Sequence, residues 1–141
     1  MIPPINILAV IGATVASMIV GFLWYGPLFG TQWMALSGMS AEKVNAATSK
    51  SMAKSYALMM VGSFVMSYTF AHSLIFASAY LGVEGASAGV MAGFWSWLGF
   101  IAPVTLGVVL WEGKSWKLWF LNNGYYLVSL SIMGIILAVW Q

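Results

Sequence analysis

Tyr80-Leu81-Gly82-Val83-Glu84-Gly85-Ala86 decides how this chain is read, because Glu84 is the sole charged residue between Lys54 and Glu112. An unbroken apolar segment lies on each side of it, from Tyr56 to Leu81 and from Ala86 to Trp111. A charged side chain costs a few kcal/mol at the bilayer centre, and about 20 apolar residues suffice for a helix to cross the hydrocarbon. The stretch therefore reads as a tight turn between two membrane-spanning helices.

Outward from this turn the same partition continues. The remaining charges fall in two windows, Glu42 to Lys54 and Glu112 to Lys117, which bracket two further apolar runs. Four spans result, at about residues 5–25, 56–81, 86–111 and 117–140. The short connections after the second and third spans make their neighbours antiparallel, so the expected fold is all-α, an up-and-down four-helix membrane bundle in a single domain. Pro3 and Pro4 stand where the first span begins, Gly26-Pro27 ends or bends it, and Pro103 is expected to kink the third. The long first connection carries a helix start at Ser40, with Glu42 in its first turn. That helix either extends into the second span or lies on the membrane surface with Trp33, Met34, Leu36 and Met39 dipping in.

At 62% hydrophobic and 6% charged residues, the composition is far from the roughly 25% charged of soluble domains. The positive charge comes from lysine alone, without arginine, so nucleic-acid binding through bidentate forks is not expected. Without cysteine, and with one histidine and three scattered glutamates, no metal site is expected. The N-terminal run lacks the basic region of a secretory signal and should remain as the first span. All five lysines flank the connections on one side, so the positive-inside rule puts both lysine-bearing connections in the cytoplasm and both termini outside. Trp24, Tyr25, Trp111, Trp116 and Trp119 would then form the inner aromatic belt, with Tyr80 and Trp140 in the outer one. Gly21-x-x-Trp24-x-Gly26 and Trp111-x-Gly113 hint at an internal duplication.

Small residues form ridges: Ala9, Ala13, Ser17 and Gly21 on the first span, Gly89 and Gly93 on the third. Such ridges let helices approach closely, either within the chain or between copies. His72 is the one imidazole, about 22 Å up the second span by helical rise, level with Thr14 and Ser96, its expected partners. It is a candidate for proton transfer, for axial ligation of a porphyrin, or for a neutral structural hydrogen bond. A second polar layer holds Asn122 and Asn123, with Tyr125, Tyr126 and Ser129 following, at the depth of Ser63 and Thr105; Asn122, Tyr126 and Ser129 fall on one helical face. It reads as interhelical glue or as a cytoplasm-facing pocket for a small polar or amphiphilic molecule. No nucleophile elbow or phosphate-cradling glycine loop is present, so an enzyme is not expected.

Two stretches carry a family resemblance. They are Trp24-Tyr25-Gly26-Pro27-Leu28-Phe29-Gly30-Thr31-Gln32-Trp33, and Trp111-Glu112-Gly113-Lys114 continuing to Leu118-Trp119 and Asn122-Asn123-Gly124-Tyr125-Tyr126-Leu127-Val128-Ser129. Over nearly its whole length the chain resembles the small bacterial membrane proteins grouped as domain of unknown function 1761. The resemblance implies a bacterial inner-membrane location but no active site; many members carry histidine where this chain has Tyr126. The expected role is a binding or interaction module or an accessory subunit, in contact with lipid and with a second copy or another membrane protein. The alternative is a transporter or channel for protons or small solutes using His72 and Asn122; porphyrin or pigment binding through His72 is a third reading.

Overall fold

A computed structural model describes residues 4–47 and 49–140. The first span opens at α1, Ile7–Leu23, where the Asn6 side chain accepts from the Leu8 and Ala9 amides at 3.0 and 3.3 Å. That cap, absent from the sequence reading, satisfies two of the amides a helix start leaves unpaired. Pro4 precedes the helix, and Pro3 lies outside the described residues.

At its far end α1 passes into a π-helical segment, Trp24–Leu28. Gly26 leaves helical geometry (φ −106°, ψ −105°), Pro27 has no N–H to donate, and the Phe29 amide reaches back five residues to the Trp24 carbonyl at 2.8 Å. Gly26-Pro27 thus bends the chain without ending it. A second piece, α2 (Gly30–Ser37), follows.

The connection to the second span resolves into two helices. Ser40 caps α3 (Ala41–Ala46), its hydroxyl accepting from the Lys43 amide at 3.3 Å, but the extended Ala47 (φ −64°, ψ 123°) interrupts it. The second span begins afresh as α4, Ser49–Leu81, well before the expected Tyr56. Its 33 residues reach about 50 Å, against a hydrocarbon core of about 30 Å. The excess places Lys50 and Lys54 in the exposed first turns.

Gly82 (φ 65°) reverses the chain in the left-handed region, where a Cβ would be strained, and the third span starts at α5, Gly85–Ser96. The expected kink at Pro103 is a second π-helical segment, Trp97–Ile101, followed by α6 (Ala102–Thr105) and α7 (Gly107–Leu110). Proline removes one intrahelical bond, and the helix absorbs the defect by widening one turn before it. The fourth span is α8, Trp116–Val139, capped by Ser115.

All four spans are long and apolar enough to cross a membrane. They form an up-and-down bundle in which α8 is the centre, packed on α5 and on α1, while α4 leans on α1. Although consecutive in the chain, α4 and α5 barely touch, and between them lies a cleft of about 440 Å³ lined by Thr69, Ser73, Ser96 and Phe100. The core runs through Val10, Ala13, Phe70, Leu74, Met133 and Leu137. At one end the Lys114 ammonium donates to the Ser37 carbonyl at 3.4 Å, joining the two lysine-bearing connections; at the other, the Asn6 amide donates to the Trp140 carbonyl at 3.2 Å.

Candidate functional site

The strongest candidate is a cleft of about 480 Å³ where α1, α4 and α8 diverge. Beyond the Gly26-Pro27 bend α2 packs on α8, and Gly21, Gly26 and Gly62 line the opening without side chains to fill it. Tyr25, Tyr125 and Tyr126 line one wall, with Met18, Met59 and Met66 among the apolar residues. Their rings associate edge-on or tilted: Tyr25 with Tyr125 and Tyr125 with Tyr126, both at 5.2 Å between centroids. Tyr126 stands ten residues beyond Trp116 on α8, about 15 Å above the lysine-bearing end of that helix.

Adjacent asparagines on α8 point to different neighbours, because successive helical residues are about 100° apart. Asn122 turns to the first span, where its Oδ1 accepts from the Tyr25 hydroxyl at 3.0 Å. Asn123, only 2% exposed, turns to the third span. Its Oδ1 accepts from the Trp97 indole at 3.0 Å, while its amide donates to the Thr105 hydroxyl at 3.0 Å and the Trp119 carbonyl at 3.1 Å. Thr105 also accepts from the Trp119 indole at 3.1 Å and donates to the Ile101 carbonyl at 2.8 Å. Both amide hydrogens of Asn123 and both acceptor positions of Thr105 are thereby used. With both donor hydrogens spent on neighbouring groups and its side chain buried, Asn123 acts as interhelical glue. Ser129, expected on the same face as Asn122 and Tyr126, is buried with its hydroxyl on the Met133 sulfur at 3.9 Å.

The upper layer does not assemble. His72 is half-buried, and its Nδ1 donates to the Tyr68 carbonyl one turn back at 3.0 Å, with the Tyr68 ring against it at 4.7 Å. Thr14 is buried and donates to the Val10 carbonyl of its own helix at 2.7 Å; Ser96 lies in the α4–α5 cleft. Each hydroxyl or ring finds a nearer acceptor or a different face, so Thr14 and Ser96 are not partners of His72. Neither cleft described above is lined by His72. Among the described residues, no three His, Asp or Glu side chains gather closely enough to hold a metal ion.

The small-residue ridges are consumed within the chain. Ala9, Ala13 and Ser17 are buried, Ser17 donating to Ser63 at 3.3 Å, while Ser67 donates to the Val10 carbonyl at 3.1 Å. Gly21 faces the Tyr125 hydroxyl. Gly89 and Gly93 press against the α8 backbone at Gly134 and Leu130.

Several of the residues expected at the aromatic belt point inward instead. Trp24 donates its indole N–H to the Leu121 carbonyl at 3.1 Å, and Tyr25 and Trp119 bond as above; Trp111 and Tyr80 are 87% and 89% exposed. Trp24 and Trp111 therefore stand in different surroundings, and the match between their two motifs is not reflected in the structure. The true counterpart of Trp24 is Trp97, since each begins a π-helical segment, has glycine two residues on, and donates its indole to α8. Thr105 was expected at the depth of the asparagines and does bond to Asn123, whereas Tyr25 and Trp97 were missed as their partners. A Trp-x-Gly followed within six residues by proline was their available signal.

The model of a family described as a protein of unknown function (DUF1761) matches residues 8–138. Neither a curated protein nor a solved structure matches the chain.

Proposed function

The chain belongs to the DUF1761 family, and from its geometry we propose a non-catalytic membrane module that binds an amphiphile entering sideways from the bilayer. One observation carries this reading: the tyrosine-walled cleft continues into an apolar groove of about 630 Å³ between α1 and α4, with Met18, Phe22 and Tyr56 common to both. Ligand sites in helical membrane bundles form between helices, with a few polar groups fixing orientation and an apolar remainder giving affinity. The ridges that would drive self-association are used internally, which favours the cleft over a self-assembled pore as the working surface. Transport along His72 and Asn122 lacks support, because Asn122 stands at the tyrosine layer and His72 bonds within its own helix. We take no cofactor to be needed, and we read the bilayer as both solvent and ligand source.

We place the protein in a bacterial cytoplasmic membrane with the lysine-bearing end in the cytoplasm and both termini outside. The charge asymmetry supports this orientation. The binding reading is tested with Gly62→Phe. Gly62 lines the cleft, and a Cβ there meets nothing within 4 Å, so phenylalanine fills the opening without displacing backbone. Native mass spectrometry of the wild type in mild detergent should show a bound amphiphile that this variant lacks. A wild type carrying no adduct beyond detergent would overturn the reading.

A further inference from the structure

The tyrosine wall contains more hydrogen-bond donors than the protein uses. Tyr125 is 8% exposed, yet its hydroxyl has no hydrogen-bond partner among the described residues; the Tyr126 hydroxyl, on the same wall, has none either. Beside them the Asn122 amide nitrogen also lacks an acceptor, since only its Oδ1 is engaged, by Tyr25. Reversing the amide does not remove the surplus, because the Tyr25 hydroxyl would then lose its acceptor. Asn123 and Thr105, on the other side of α8, are by contrast paired within the bundle. Among the described residues no side-chain oxygen or nitrogen is both enclosed and unpartnered, so the unpaired tyrosine hydroxyls open onto the cleft and present donors to whatever occupies it.

Building on the amphiphile-binding reading, we propose that the cleft takes an uncharged head group bearing carbonyl oxygens, which accept from Tyr125 and Tyr126, with its apolar tail in the α1–α4 groove. No charged side chain lines either cavity, so an ionic head would enter uncompensated at low dielectric and is disfavoured. A carbonyl oxygen has two lone pairs and suits a wall rich in donors. Tail selection follows from Ile11, Val15, Ile19, Val61 and Phe64, which line the groove with carbon. Two sources share this chemistry: the ester carbonyls of a bilayer glyceride and the ring carbonyls of a free alkylated quinone.

Three probes titrated into detergent-solubilised protein by native mass spectrometry separate the cases: decylbenzoquinone, dilauroylglycerol and decylbenzene, the last having a tail but no acceptor. The comparison is wild type against Tyr125→Phe/Tyr126→Phe, which removes two hydroxyls that no protein group uses, and against Gly62→Phe. The expected result is that an acceptor-bearing probe binds the wild type tighter than decylbenzene. It should lose about tenfold in the double tyrosine variant, while decylbenzene is unchanged. Loss confined to the quinone identifies a free quinone as the source, and loss confined to the glyceride identifies a bilayer lipid. Should all three probes bind equally, be indifferent to the tyrosine change and be excluded by Gly62→Phe, the head-group assignment is overturned and the cleft reading stands. If no probe binds the wild type, both fall.

Discussion

Gly89 on α5 and Gly134 on α8 face each other so closely that a Cβ on either would overlap the other's backbone carbonyl. Backbone cannot yield as a flexible side chain can, so this crossing fixes how near the third and fourth spans approach. The contact matters in lipid, where close packing replaces the hydrophobic effect as the force between helices. Gly89→Ala or Gly134→Ala should destabilise the protein by about 1–3 kcal/mol. Gly62→Ala, in open space, should be neutral or stabilising by up to about 1 kcal/mol through helix propensity. Thermal unfolding midpoints in detergent test the contrast, and equal shifts for all three variants would contradict it.

Asn123 holds the third span to the fourth below that crossing. Asn123→Leu strands the Trp97 indole N–H and breaks the bond to Thr105, and should cost about 2 kcal/mol. Trp97→Phe should cost less in the Asn123→Leu background than in the wild type, because its partner has already gone. Additive losses in this double-mutant cycle would show that the two side chains are not coupled.

The four spans and their order were legible because charge and hydropathy follow the membrane's own partition, and the turn at Gly82 because glycine marks it. The direction each polar side chain faces was not. In a soluble helix the apolar stripe identifies the buried face, but here lipid and bundle interior are equally apolar, so Tyr125 in the bundle and the exposed Tyr80 look alike in sequence. Helical spacing separates Asn122 from Asn123 without naming Tyr25 or Trp97 as their partners. The π-helical segments were hidden for a related reason. Pro27 and Pro103 announce a lost hydrogen bond, and only the fold shows that one widened turn, not a break, absorbs each loss. The depth match of Thr14, His72 and Ser96 was sound arithmetic applied to side chains on faces that do not meet.

His72 is satisfied locally, and that has a measurable consequence. Its Nδ1 bond returns to Tyr68 on the same helix and ties no second element. His72→Leu should therefore change stability by no more than about 0.5 kcal/mol, as expected where no interhelical bond is lost. Proton flux through reconstituted liposomes should equal that of the wild type. A clear fall in flux with stability unchanged would restore the transport reading.

Orientation is open to direct test because the chain contains no cysteine. Five lysines and two glutamates belong to the connections at the Ser37–Lys114 end, while Glu84 alone marks the other. An inward-negative potential of 100 mV favours each positive charge on the inner side by about 2.3 kcal/mol, in the same direction as the positive-inside bias. Single variants Ser37→Cys, Lys114→Cys and Glu84→Cys can be exposed in intact cells to a membrane-impermeant maleimide. Glu84→Cys should label at once, and the other two only after permeabilisation. The reverse pattern would invert the topology while leaving the bundle intact. Labelling of Lys114→Cys and Glu84→Cys from the same side would contradict the bundle itself, because α5, α6 and α7 separate those residues by one crossing.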